Sequence, residues 1–212
     1  MKIKHLVASM AFVCILMGSV SMNNLPDYVS INDENADETL RNQLITPSEE
    51  VSFPLSENDC KVINTVEAKF DQEENMAGLA APQIGFHKQV IVFAVPEDPI
   101  LKKFRPDLTD TMPKTIWLNP SYEVVGEETT TDYEACFSVE DLVGPVTRST
   151  TVNYTAYDQE GNKITGKASG FLARVIQHEI DHVHGKLFID KVPKYEIDTI
   201  EEYRAKRAKD MQ

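Results

Sequence analysis

Apolar residues recur along this chain with two different periods, and the changeovers fall at glycines, prolines and capping residues. Val62, Ile63, Val66 and Phe70 follow helical spacing, and Ser56 with Asp59 three residues on forms a capping-box pattern just ahead of them. Asp59–Gln72 is therefore predicted as an amphipathic helix. The stretch Ala77-Gly78-Leu79-Ala80-Ala81-Pro82 carries too much turn chemistry for a regular element. Gln89–Val95 is β-branched and apolar, as a buried strand is, and Thr115–Leu118 and Tyr122–Gly126 read as further strands. Thr150–Tyr157 alternates, with Val152, Tyr154 and Ala156 on one face; Asp158–Asn162 turns the chain and Lys163–Lys167 returns. Ser169 or Gly170 then opens a helix to His184, with Gly185 at its C′ position. Phe171, Leu172, Val175, Ile176, Ile180 and Val183 give it more apolar surface than a solvent-facing helix needs, which makes it central. A last helix over Glu196–Asp210 places acids ahead of bases, as the helix dipole favours. Two long helices among short antiparallel strands make an α+β plan.

The ends obey other rules. Lys2 and Lys4 precede the uncharged apolar run Leu6–Gly18, and Ser19-Val20-Ser21 follows as a small-x-small triplet. Residues 1–21 thus have the order of a secretory signal, which implies export to a periplasm or the exterior; translation from Met22 would imply the cytoplasm. The run is too short to span a hydrocarbon core of about 30 Å, so no stable membrane span is expected in the mature chain. Residues 22–55 are polar, acidic and dotted with Pro26, Pro47 and Pro54. They are expected to be an extended segment wrapping a domain of residues 56–212. With 212 residues, 42% of them hydrophobic and 26% charged, the chain has the composition of a soluble globular domain. Its 21 Lys and Arg against 34 Asp and Glu leave a net charge of −13, which excludes DNA as a nonspecific partner. The basic end of the last helix leaves a transient ribosome contact open.

The chemistry concentrates in His178-Glu179-Ile180-Asp181-His182, an H-E-x-x-H sequence on the predicted central helix. Positions i and i+4 share a helical face, so both imidazoles can reach one metal ion, with Glu179 beside it as a proton acceptor. The alternative is two surface histidines and a solvated glutamate. A metal held by two imidazoles needs a third protein ligand. His184 lies on the wrong side of the helix, and Asp190, Glu196 and Asp198 lack a helix to position them. Cys136, in Glu134-Ala135-Cys136-Phe137-Ser138 ahead of the break at Gly144-Pro145, is the better candidate, because a thiolate suits Fe(II) or Zn(II).

Three segments, Gly78-Leu79-Ala80-Ala81-Pro82-Gln83, Glu134-Ala135-Cys136-Phe137-Ser138 and Gln177-His178-Glu179-Ile180-Asp181-His182, resemble in order and spacing the signature motifs of the peptide deformylases. The resemblance runs from about Leu44 to Val192. It implies a catalytic domain that removes the formyl group from N-formylmethionyl peptides or nascent chains. It also implies one divalent metal on Cys136, His178 and His182, with Fe(II) the usual native ion and Zn(II) or Ni(II) also suitable. By the same resemblance, the metal lowers the pKa of a water in its fourth position. Glu179 takes the proton as hydroxide attacks the formyl carbon, then delivers it to the departing amine. The Gln83 side chain and the Phe137 backbone N–H would bind the developing oxyanion. Gly78 and Leu79 would receive the peptide backbone, Phe171 and Val175 would line the methionine pocket, and Glu134 is expected among the substrate-binding residues, where it can also pair with Arg148 to hold the Cys136 segment; a surface ion pair is the alternative.

Several residues depart from the family pattern. Met76 stands where a glycine is common, Ala135 replaces the usual glycine before the cysteine, and Phe137 replaces a common leucine. These touch side-chain preference, not the reaction. Arg174, one turn before His178, puts a cation near the expected pocket mouth and points to acidic peptide positions. Export would also leave Cys60 and Cys136 in an oxidising compartment, where their pairing would destroy the metal site. Two other functions compete: a secreted H-E-x-x-H zinc endopeptidase with a carboxylate third ligand, and a non-catalytic formyl-peptide-binding relative.

Overall fold

A computed structural model describes residues 25–74 and 76–210, so the signal-like segment 1–21 lies outside the described residues. The fold mixes helices with two antiparallel sheets. Helix α1 spans Glu38–Leu44 and α2 spans Glu57–Gln72; strands β1 (Gly78–Ala80) and β2 (Val90–Val95) flank a 3-10 turn at Ala81–Ile84. Helix α3 (Pro99–Phe104) leads to β3 (Met112–Val124), β4 (Thr129–Cys136), β5 (Val139–Ser149), β6 (Thr151–Tyr157) and β7 (Lys163–Ser169). Helix α4 (Gly170–Val183), β8 (Asp198–Thr199) and α5 (Ile200–Asp210) complete the chain. One sheet has the order β1-β2-β3-β6-β7, the other β4-β5-β8.

The apolar run of β2 is continuous because both faces of the larger sheet are covered. Val90 and Val92 meet Cys60, Val62, Ile63, Val66 and Phe70 of α2 in one core cluster. Ile91, Phe93 and Val95 face the other way, joining Trp117, Val152, Ala156 and Ala168 against Leu172, Ile176, Ile180 and Val183 of α4. The capping box is present: Ser56 Oγ accepts from the Asp59 N–H, and Asp59 accepts from the Ser56 N–H, each at 3.1 Å. Gly185, at φ 69°, ends α4.

The structure revises four expectations. Residues 22–55 are not extended throughout: Asp37 caps α1 by accepting from the Thr39 N–H. The glycine-rich stretch before Gln83 contains β1, the edge strand of its sheet, because small side chains let it lie flat against α2 and α4. The two strands expected at Thr115–Leu118 and Tyr122–Gly126 are one strand with a register shift between Leu118 and Ser121, where Asn119 adopts φ 47°. Gly144-Pro145 is no break; Pro145 pairs with Tyr133 inside β5.

Candidate metal centre and active site

Helix α4 is buried on two unlike faces, and that is what creates the site. Its apolar face rests on the five-stranded sheet, while Arg174, Gln177 and Asp181 turn toward β4 and β5 and are also buried. Gln177 satisfies itself on the Ser149 backbone, accepting from its N–H at 3.2 Å and donating to its carbonyl at 2.9 Å. Between these faces, His178 and His182 emerge one turn apart opposite the end of β4, where Cys136 sits. The Cys136 Sγ lies 3.3 Å from His182 Nε2, and the two Nε2 atoms are 3.2 Å apart. All three donor atoms fall within 4.8 Å of one another, the one such His, Cys or carboxylate group among the described residues.

These spacings fit metal ligation. Ideal tetrahedral bonds place two imidazole nitrogens about 3.3 Å apart and a nitrogen and a sulfur about 3.5 Å apart. Cys136 is a free thiol. Cys60 lies within the α2 core cluster, so the competing Cys60–Cys136 pairing is not formed. Asp190 instead caps the Leu187 N–H and Asp198 pairs with Lys206, so neither serves as a carboxylate ligand.

Behind the ligands stands a buried charge network. His178 Nδ1 donates to Glu134 Oε2 at 2.8 Å, which directs Nε2 toward the cysteine. Arg148 grips the same carboxylate with two bonds, at 2.7 and 2.9 Å, and donates its third to Asp181 at 2.7 Å. Tyr122 donates to the other Asp181 oxygen at 3.2 Å. The Glu134–Arg148 pair is thus fully buried, not a surface bridge. Burial opposes the Glu134 charge, but the bonds from His178 and Arg148 outweigh it and hold the carboxyl well below the usual range. Burial, reinforced by the neighbouring His178, keeps His182 neutral.

Glu179 is 4% exposed, and its Oε2 has no hydrogen-bond partner among the described residues. Burial pushes its carboxyl up to about 7, against the pull of His178 and Arg148. Gln83 Oε1 accepts from the Ala80 N–H at 2.7 Å, which turns its Nε2 to within 3.2 Å of the Cys136 sulfur. A cavity of about 300 Å³ opens beside these groups, walled by Met76, Gly78, Phe171, Val175, Phe137 and Tyr133 among others.

Not every expected site residue takes its expected place. Leu79 is fully buried in the α2 core and does not reach the cavity, because alternation along β1 sends it to the opposite face from Gly78. Glu134 lines the cavity, yet its carboxylate is consumed by Arg148, Arg174 and His178 and is not free for a substrate. The space left by Gly78 is filled by Glu179: a Cβ there would lie 2.4 Å from its Oε1. Arg174 is buried against Glu134 and the Val146 and Thr130 carbonyls, not poised at a mouth.

Within the segment expected to wrap the domain, residues 28–31 cross the site, a place the sequence reading did not assign to them. Val29 N–H donates to the Gln83 carbonyl at 2.8 Å and Ile31 N–H to the Ser138 carbonyl at 2.9 Å. Tyr28 stacks on Phe137, with centroids 4.3 Å apart and planes 11° from parallel. Four residues, Tyr28-Val29-Ser30-Ile31, are too short a run for their alternation to mark a strap in the sequence.

Comparison with known proteins agrees with this geometry. The family model described as polypeptide deformylase matches residues 35–197. Peptide deformylase 2 of Rickettsia conorii is 53% identical over 189 residues, covering 89% of this chain and 94% of that protein. The crystal structure of peptide deformylase from Ehrlichia chaffeensis superposes with a TM-score of 0.65 at 26% identity, over 89% of this chain and 97% of that one. The Met-Ala-Ser-bound class I type b enzyme of Acinetobacter baumannii gives 0.62 at 25% identity, over 80% and 99%. Ordered motifs, a three-ligand cluster and these matches together place the chain in the peptide deformylase family.

Proposed function

We propose that this chain hydrolyses the N-formyl group from N-formylmethionyl peptides, with Cys136, His178 and His182 holding one divalent metal. The observation that carries the reading is the convergence of one thiol and two imidazole Nε2 atoms beside a buried, unpartnered Glu179 carboxylate at a cavity wall. A divalent ion bound there supplies Lewis acidity to the attacking water and the formyl carbonyl. Fe(II) as the native ion is what the family resemblance implies; one thiolate with two imidazoles also suits Zn(II) and Ni(II), which would bind in its place.

The remaining steps belong to the chain. Glu179 accepts the water's proton and hands it to the departing amine, so the products are formate and a free N-terminus. Gln83 Nε2 and the Phe137 N–H donate to the formyl oxygen as it gains charge, each such donor contributing about 3–4 kcal/mol in comparable sites. β1 is a sheet edge with Gly78 on the cavity side, so a peptide can pair along it as an added strand. Phe171 and Val175 receive the first side chain.

The test is formate release from formyl-Met-Ala-Ser by anaerobically purified protein, with Glu179→Gln as control. Release that the control abolishes supports the reading. No release from protein holding one metal per chain would shift it to formyl-peptide binding.

A further inference from the structure

The two groups assigned to the formyl oxygen ride on different sheets. Gln83 sits in the Ala81–Ile84 turn that follows β1 of the five-stranded sheet, whereas Phe137 lies in the turn joining β4 to β5 of the other. Turns of this kind move more than the elements they connect, so the gap between them needs a brace. Residues 28–32 run across it. The Val29 N–H donates to the Gln83 carbonyl at 2.8 Å, and the Ile31 N–H donates to the carbonyl of Ser138, next to Phe137, at 2.9 Å. Two residues of fully extended chain span at most about 7 Å, so these bonds cap the distance between the two turns.

Both ends of the brace are anchored. Asn32 Nδ2 donates to the Glu140 carbonyl at 2.9 Å, and its Oδ1 accepts from the Glu140 N–H at 3.0 Å. At the other end Tyr28 is tied to α2 and the residue that caps it. Its hydroxyl donates to Glu73 at 3.1 Å, and the Lys69 ammonium lies 4.4 Å from its ring centroid. The Phe137 ring is 47% exposed, and it stacks on that anchored tyrosine. Gln83 is equally determined: buried, its Oε1 accepts from the Ala80 N–H within the same turn, so holding the backbone holds the amide.

We propose that residues 28–32 are positioning residues for the formyl oxygen, setting the gap across which Gln83 Nε2 and the Phe137 N–H both reach it. The Tyr28 hydroxyl, the Val29 and Ile31 N–H groups and the Asn32 amide are already spent on the protein, so they act through those two donors. The proposal rests on the deformylase reading and leaves its reaction unchanged. A group misplaced by about 1 Å in such a site costs about 10²-fold in rate. The loss falls on the step in which charge develops, and so on kcat.

The experiment measures kcat and KM for formyl-Met-Ala-Ser with four full-length proteins carrying one metal: the unmodified chain, Val29→Pro, Gln83→Leu and the double variant. Proline removes the N–H that holds the Gln83 carbonyl. Val29→Pro should lower kcat at least about tenfold and leave KM within about twofold. Gln83→Leu should lower kcat about 10²–10³-fold, and the double variant should fall no further, because the brace then has no amide to place. A merely structural role would make the two losses multiply. Multiplied losses, or a Val29→Pro kcat equal to that of the unmodified chain, overturn the proposal while deformylation stands. If Val29→Pro does not fold, Asn32→Ala, at an exposed position, releases Glu140 on the Phe137 side. It should lower kcat at least about threefold at constant KM, and unchanged kcat there overturns the proposal. No formate from the unmodified protein overturns the deformylase reading, and this proposal with it.

Discussion

A single methyl group at position 78 tests how Glu179 is held. A Cβ on Gly78 would lie 2.4 Å from Glu179 Oε1 and 2.5 Å from both Cδ and Cγ, distances that real Cβ atoms essentially never show. Gly78 is not among the glycines with positive φ, so alanine is acceptable to the backbone, and the three atoms nearest the added Cβ all belong to the Glu179 side chain. Glu179, 4% exposed, has no solvent to retreat into. Overpacking of this kind costs about 1–3 kcal/mol of stability. If Glu179 carries the proton as proposed, displacing it should cost about 10²–10⁴ in rate, the usual worth of general acid–base catalysis. Gly78→Ala is therefore expected to keep one metal per chain, melt lower and lose at least about 10² in kcat for formate release. The mechanism makes a sharper demand on the double mutant. In a Glu179→Ala background the added methyl enters vacated space, so its stability cost should vanish and leave a coupling energy of about 1–3 kcal/mol. Calorimetric unfolding of the four proteins in the cycle measures it. Additive stabilities, or a Gly78→Ala enzyme within tenfold of the parent rate, would falsify the steric account.

The ligand set and its support make further demands. Cys136→Ser should strip the metal during dialysis against a chelator, whereas a protease-type site using a carboxylate would retain it; metal analysis decides. Glu134→Gln weakens the acceptor of His178 Nδ1–H and should lower metal affinity about 10–100-fold in a competition titration; unchanged affinity would detach the network from the metal. Glu134 also sets a pH dependence. Its folded pKa lies below its ordinary 4.5, so its stabilisation is full above about pH 4.5 and is lost as pH falls toward the folded value. Acid-unfolding curves should lose that portion in Glu134→Gln. Tyr28→Leu removes the stack on Phe137, worth about 0.5–1.5 kcal/mol, and should lower kcat at constant metal content, with Tyr28→Phe restoring it; equal kcat in both would make the strap mere covering.

What the sequence disclosed followed from local physics. Helix α2 announces itself through its capping box and apolar stripe, and β6 and β7 through alternation and an Asp158 turn whose side chain accepts from the Glu160 and Asn162 N–H groups at 3.0 and 2.7 Å. The β4–β5 hairpin gave no such notice. Thr129, Thr131, Asp132 and Tyr133 send little to a core, and Gly144-Pro145 imitates a break. Pro145 is tolerated in β5 because the second neighbour, β8, pairs only at Leu142 and Val143. Likewise, Asn119-Pro120 reads as the end of a strand, yet Asn119 turns inward and holds both the N–H and the carbonyl of Val51.

The least legible part was the polar face of α4, and it decides the chemistry. Arg174, Gln177 and Asp181 would be assigned to solvent by any periodicity, since burying them is expensive. They are buried because β4 and β5 meet each one: Glu134 and two carbonyls for Arg174, the Ser149 backbone for Gln177, Arg148 for Asp181. Removing one member strands its partners, so such a network is retained only as a unit. Its members are far apart in sequence, with Glu134 and Asp181 joined through Arg148 alone. That arrangement fixes the angle at which α4 presents His178 and His182 to Cys136. The spacing of the three donor atoms is thus a consequence of charge satisfaction between α4 and the β4–β5 hairpin, which no window of the chain contains.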